Sequence, residues 1–315
     1  MNDKAKIGIL VAIAIGLISV FMFTDIGRFP DYVLPKRGLK ILAIILTGSC
    51  IAFSTVIFQT ITNNRILTPS IIGLDSLYML IQTALIFILG STSQTIVNKN
   101  VNFIITIVIM ILFIGLLYKL LFKREGSNLY FLLLIGLIFG TLFSSMSTFL
   151  QVLIDPNEYQ SIQGKMFASF NNVQTDLLNL SIIGIVVITI YAWRFLKYLD
   201  VLALGRDQAI NLGVNYDYVV RRLLVVVAVL ISISTALVGP ITFLGLLVVN
   251  VAYQVMRTYK HSYIIISAIM ISIVSLVGGL LLVERVFTFS TTLSVIINFV
   301  GGIYFIYLLL KENKS

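Results

Sequence analysis

Apolar residues run through this chain in long blocks separated by short polar clusters. A helix needs about 20 predominantly apolar residues to cross a bilayer. Ten stretches approach that length, at approximately 6–24, 38–61, 70–90, 101–122, 129–153, 176–196, 219–238, 240–256, 263–283 and 292–310. The pattern predicts an all-α polytopic membrane protein of about ten transmembrane helices, forming a single transmembrane domain over 1–315.

One polar interruption stands out. LDVLALGRDQAINLGVNYDYVVRR, from Leu199 to Arg222, lies between two apolar blocks yet carries Asp200, Arg206, Asp207, Asp217, Arg221 and Arg222. So many charges place it outside the bilayer. Gly205 opens a short helix-prone run, DQAINL, and Gly213 can close it in the left-handed conformation that helix ends often need. Asn215 reads as the N-cap of the next helix, with Asp217 and Arg221 spaced i,i+4. Ala209, small and flanked by polar groups, reads as exposed. The expectation is a short helix between spans six and seven, shaped to pass force to a soluble partner, against the plainer alternative of an ordinary structured loop.

Three other places break simple spanning. QTITNNRILTPSIIGLDSL groups Asn63, Asn64, Arg65 and Pro69 and then sets Asp75 in apolar surroundings, where a carboxylate needs a partner or water. Pro69 reads as sitting near the first turn of a helix. DPNEYQSIQGKMFASFNNVQTD, between spans five and six, is polar with an amphipathic centre and reads as a re-entrant or surface helix. In LVGPITFLGL, Gly239-Pro240 forces a tight turn and Gly245 permits close packing. Spans five, seven and eight read as rich in small polar residues (Ser144, Ser145, Ser147, Thr148, Ser232, Ser234, Thr235), which suits close helix packing and also a hydrated pathway.

Composition confirms the class. The chain is 59% hydrophobic and 11% charged, with mean hydropathy +1.05, whereas soluble domains are roughly a quarter charged. The net charge of +9 falls at the ends of apolar blocks, which is a topology signal and not a nucleic-acid footprint. With the N-terminus inside, fifteen Lys and Arg flank the inner ends (Lys4, Lys6, Arg65, Lys119, Lys123, Arg124, Arg194, Lys197, Arg206, Arg221, Arg222, Arg257, Lys260, Lys311, Lys314). Seven flank the outer ends (Arg28, Lys36, Arg37, Lys40, Lys99, Lys165, Arg285). Both termini are therefore expected in the cytoplasm. The first block has spanning length and lacks a small-residue cleavage site, so no cleaved signal is expected.

Cys50, the one cysteine, reads as a buried small hydrophobe. His261, the one histidine, follows Arg257 and Lys260 and reads as a solvated loop residue. There is no phosphate-cradling glycine loop, zinc helix or nucleophile elbow. Asp75 is the only acidic residue placed inside a span, and Glu284 lies at the outer end of one. A carrier driven by protons or sodium would need more buried ionisable groups, so a pump with this sequence draws its energy from another subunit. The alternative kept open is an ion-coupled secondary transporter of a small organic solute.

Four ordered segments resemble the permease subunits of the iron-siderophore and vitamin B12 class of ABC importers. They are TGSCIAFSTVIFQTITNNRILTPSIIGLDSL at 47–77, LALGRDQAINLGV at 202–214, GPITFLGLLVVNVAY at 239–253 and FSTTLSVIINFVGGIYFIYLLL at 289–310. The first is more similar to the branch that imports ferric catecholate-type siderophores. Where the family carries Pro-His this chain has Val249-Asn250, where it carries an arginine three residues later the chain has Tyr253, and the coupling helix keeps a single acidic residue, Asp207.

The resemblance implies ten helices and an ATPase-coupling helix at Gly205, Arg206, Asp207, Gln208, Ala209, Ile210, Asn211, Leu212, Gly213 and Val214. It implies binding-protein docking at Arg37, Lys40 and Arg285, and an inner gate at Gly126, Ser127 and Asn128. Pathway lining is expected from Ser144, Ser145, Ser147 and Ser234. No cofactor or metal is expected on this chain, with ATP and Mg held by a separate ATPase. Expected partners are a second permease, non-identical rather than identical, two ATPase subunits, an extracytoplasmic siderophore-binding protein and membrane lipid, without nucleic acid. The location is the cell membrane, multi-pass.

Overall fold

The computed structural model describes residues 2–25, 29–121, 129–171, 175–288 and 291–312. Fourteen helices are found among the described residues. They are α1 (Asp3–Phe23), α2 (Pro30–Thr62), α3 (Leu74–Leu89), α4 (Gln94–Val97), α5 (Lys99–Leu121), α6 (Leu129–Leu153), α7 (Pro156–Met166), α8 (Thr175–Leu196), α9 (Leu199–Leu202), α10 (Arg206–Asn211), α11 (Tyr216–Val238), α12 (Leu244–Met256), α13 (His261–Arg285) and α14 (Leu293–Glu312). Eight are long and apolar enough to cross a membrane, and the described residues contain no strand.

Burial sorts these helices into a centre and a rim. In α2 and α11, 78% and 72% of the most apolar window is buried, against 11–28% in α1, α5, α6, α8 and α14. The rim helices therefore turn Leu, Ile and Phe outward, which costs nothing where the solvent is lipid. Lipid also gives helices no hydrophobic reason to associate, so small residues must let backbones approach. Gly136 and Gly140 of α6 do this for the segment before α3: a Cβ on Gly136 would lie 2.8 Å from Ile72 Cα, and one on Gly73 2.8 Å from Gly140 Cα. Gly245 of α12 likewise lies against Thr55 of α2, where a Cβ would collide with the hydroxyl.

The two expected spans that fall short are α3 and α12. At 16 and 13 residues and 1.5 Å per residue they reach about 24 and 20 Å, less than a hydrocarbon core of about 30 Å. Each is preceded by non-helical chain. Pro69–Ile72 forms one 3-10 turn, ended by Gly73 at φ +84°, so the third span starts at Leu74 and not near residue 70. Gly239, at φ +101°, makes the other break. Irregular backbone at membrane depth is tolerated where protein covers it, and here the breaks cover each other: Thr242 Oγ1 donates to Asp75 Oδ2 at 3.1 Å.

The polar stretch after α6 forms α7, N-capped by Asp155, whose side chain accepts from Asn157 N. Its Ile162 is buried against Ile86 and Ile154. Lys165 Nζ donates to Gln82 Oε1 of α3 at 2.6 Å, and burial pushes its ammonium down to about 8.

Candidate functional site

Local sequence accounts for the α10 region residue by residue. Leu199 and Leu202 bury the short helix α9, and Gly205 turns the chain at φ +99°. Arg206–Asn211 then makes under two turns of helix. Gly213 N donates to Ile210 O at 2.9 Å and Val214 N to Ala209 O at 3.0 Å, the paired bonds of a Schellman ending with Gly213 at φ +82°. Asn215 Oδ1 accepts from Tyr218 N at 3.3 Å and starts α11.

The helix is shorter than the stretch expected from 205 to 214, whose remaining residues form its two turns. Ala209 is fully buried, contrary to expectation, because a helix closed at both ends must turn one face inward and the smallest side chain takes it. What the loop exposes is Leu204, Ile210 and Leu212, the last two 44% and 63% exposed, among Arg206, Asp207 and Gln208. Asp217 faces Arg206 at 4.0 Å.

His261 is the largest departure from expectation. It is the first residue of α13, not a loop residue, and is only 5% exposed. Its ring lies between Asp200 of α9 and Thr60 of α2, 2.6 Å from Asp200 Oδ1 and 2.9 Å from Thr60 Oγ1. The charges of Arg257 and Lys260 reported the exposure of their own loop and nothing about what lies across from the next residue.

Arg37, Lys40 and Arg285 meet at the opposite end of the bundle, around an open cleft of about 550 Å³ that Lys36, Asp25 and Glu284 also line. Each already has an acceptor within the chain. Arg37 donates to the carbonyls of Phe21 (2.7 Å), Met22 (3.3 Å), Thr24 (2.6 Å) and Asp25 (3.4 Å), which caps the C-terminus of α1 where carbonyls lack helical partners. Arg285 pairs with Asp25 and donates to Thr24 Oγ1. Lys40 pairs with Glu284 at 3.5 Å. Among the described residues the cleft keeps four basic side chains against two acidic ones.

The pathway serines divide. Ser144 and Ser145 lie on an exposed face of α6 with Thr148, Ser144 donating to Ser76 Oγ at 3.0 Å. Ser147 and Ser234 are instead buried between the helices of this chain: Ser147 Oγ lies 3.0 Å from Thr83 Oγ1 and accepts from Gln151. Two residues turn about 200° around a helix, which carries Ser147 from the exposed side of Ser145 toward Thr83 of α3. Gly126, Ser127 and Asn128, expected as the inner gate, lie outside the described residues.

Asp75 joins the two irregular breaks, and Asn in its place still accepts from Thr242. Asp75→Asn is therefore expected to lower thermal stability modestly, by about 1 kcal/mol, and Asp75→Leu by more, since Thr242 loses its acceptor. The pH profile of uptake should keep its wild-type shape in the Asn variant. A displaced profile at normal yield would instead make Asp75 part of a proton relay.

Residues 6–311 match the FecCD transport family. The chain is 64% identical over 315 residues, the whole of both chains, to the petrobactin import system permease protein YclO of Bacillus subtilis (strain 168). It is 36% identical to the Bacillus anthracis petrobactin import system permease protein FatC (97% of this chain, 88% of that one) and 29% identical to FatD of the same organism (98% and 91%). Among solved structures, a chain described as a metal-chelate type ABC transporter in an inward-facing conformation superposes with TM-score 0.85, covering 98% of this chain and 100% of that one at 20% identity.

Proposed function

The chain belongs to the FecCD transport family, and on that premise we propose that it is the permease subunit of an ATP-driven importer of a catecholate-type ferric siderophore, of which petrobactin, named for its relatives, is the candidate. It is a multi-pass cell membrane protein and a transport subunit, not an enzyme. The observation that carries the reading is 64% identity over the full length of both chains. Bacillus anthracis has two distinct petrobactin permeases, FatC and FatD, related to this chain to different degrees. That supports a non-identical second permease beside this one, with two ATPase subunits and a binding protein completing the assembly.

In this reading the end bearing α10 faces the cytoplasm, as do both termini, and the cleft around Arg37 faces outward. Ile210 and Leu212 insert into the ATPase, which holds the ATP and Mg. Closure of the ATPases displaces α10 and rocks the spans between inward- and outward-open states. Ser144, Ser145 and Thr148 face the pathway between the two permeases, with Gly126, Ser127 and Asn128 as its inner gate. Hydroxyls without charge suit a surface that must release its cargo as well as pass it.

Uptake of radiolabelled ferric petrobactin into proteoliposomes carrying the whole assembly tests the reading. It should require ATP on the ATPase side and binding protein on the other, and should survive collapse of the proton and sodium gradients. Uptake that persists without ATP and stops with a protonophore would make the chain an ion-coupled carrier instead.

A further inference from the structure

The one histidine joins three elements that the coupling reading leaves separate. His261 N donates to Asp200 Oδ1 at 2.9 Å, and ring Nδ1 lies 2.6 Å from the same oxygen. On the other side, Nε2 lies 2.9 Å from Thr60 Oγ1, which itself donates to Val56 O of α2 at 2.8 Å. The carboxylate belongs to α9 and the hydroxyl to the last turn of α2. The imidazole that bridges them is the first side chain of α13.

α9 also leads directly into α10. Ala203 N, Leu204 N and Gly205 N donate to Leu199 O, Val201 O and Leu202 O, and Ala209 N to Gly205 O. These four bonds meet at Gly205, which ends one short helix and opens the next, so α9 and α10 are joined through a single residue and a push on α10 reaches Asp200 across it. Beyond Thr60 the connection continues. Gln59 Nε2 and Asn250 Nδ2 both donate to Arg65 O, at 2.7 and 2.8 Å, and fix the segment that leads to Asp75.

We propose that His261 is a positioning residue for transport: through Asp200 and Thr60 it delivers displacement of the α9–α10 unit to α2 and α13 together. The inference rests on the reading of α10 as the coupling helix. A ring used only to satisfy a helix start would not need its far nitrogen on a second helix. Here the backbone N–H already has Asp200, and the ring adds a connection between α9 and α2 that no cap requires. Burial keeps water from competing for the Thr60 contact, while Asp200 keeps 48% of its side chain exposed.

The test uses the complete reconstituted transporter, scored as siderophore transported per ATP hydrolysed. Asp200→Ala and His261→Ala should each lower that ratio about tenfold, on the order of a lost charge-assisted hydrogen bond, with hydrolysis and ATPase co-purification within about twofold of wild type. The double variant should be no worse than either single one, because the two side chains act as one tie. His261→Gln keeps a donor for Thr60 and should recover part of the ratio, and Thr60→Val should lower it from the other side should His261→Ala fail to assemble. Transport and hydrolysis falling in proportion, an unchanged ratio, or single-variant losses that multiply in the double variant would reduce His261 to a structural cap. Leu212→Glu run in parallel separates the two ideas: if it uncouples or releases the ATPase while the His261 variants leave the ratio unchanged, only the tie is overturned, and if it transports normally with ATPase bound, the coupling reading itself fails.

Discussion

Leu212→Glu is expected to abolish uptake while leaving the protein at normal level in the membrane, and Ile210→Glu to do the same. Both side chains face out of the folded chain, so a charge there costs the isolated subunit little, within about 0.5 kcal/mol. In a complex the same charge would be buried unpaired against the ATPase, at about 3–5 kcal/mol, which is more than about 100-fold in an equilibrium constant. Uptake should fall by at least that factor, with ATPase lost from the purified complex or hydrolysing without transport. Ala209→Glu provides the contrast. Ala209 is fully buried within the Schellman-closed turn, so its glutamate should lower membrane yield before any question of coupling arises. Normal uptake by Leu212→Glu with ATPase still bound would remove α10 from the coupling role.

That contrast marks where sequence reading stops. Gly213 as a helix ending and Asn215 as an N-cap depend on backbone bonds within a few residues, so local chemistry announced both. Which face of α10 points inward depends on what packs beneath it, and the polarity of its neighbours gave Ala209 the wrong side. The same limit recurs at longer range. Pro69 and Gly239-Pro240 signalled two breaks, but Thr242 reaches Asp75 across 167 positions, and nothing in either stretch names the other. His261 failed for this reason too, since Asp200 is 61 residues away and Thr60 is 201. Glu284, noted only as lying at a span end, proves to be the partner of Lys40. The close approach at α6 does have a local signal: Gly136 and Gly140 stand four apart in GLIFG, the spacing that lets another backbone lie on a membrane helix.

Charge changes at the Arg37 cleft should act in both directions, and the internal pairs decide which residue to change. Arg37 caps four carbonyls at the end of α1, those of Phe21, Met22, Thr24 and Asp25, so Arg37→Glu would disturb that helix end and confuse folding with docking. Among the described residues Lys40 faces the carboxylate of Glu284 and Arg285 that of Asp25, and these two are the cleaner probes. If the cleft receives acidic side chains of a binding protein, those two carboxylates compete with the incoming ones. Lys40→Glu with Arg285→Glu should then slow association about tenfold or more at low salt, while Asp25→Asn with Glu284→Gln should speed it. Each exposed pair adds only about 0.2–1 kcal/mol at equilibrium, so the effect belongs mainly to the association rate. Both differences should shrink as salt shortens the Debye length from about 30 Å at 0.01 M to about 3 Å at 1 M. Basic residues that only snorkel to lipid headgroups would leave association rates unchanged across the whole salt series. A slower rate with the first pair and no gain with the second would keep the docking surface but exclude Asp25 and Glu284 as competitors.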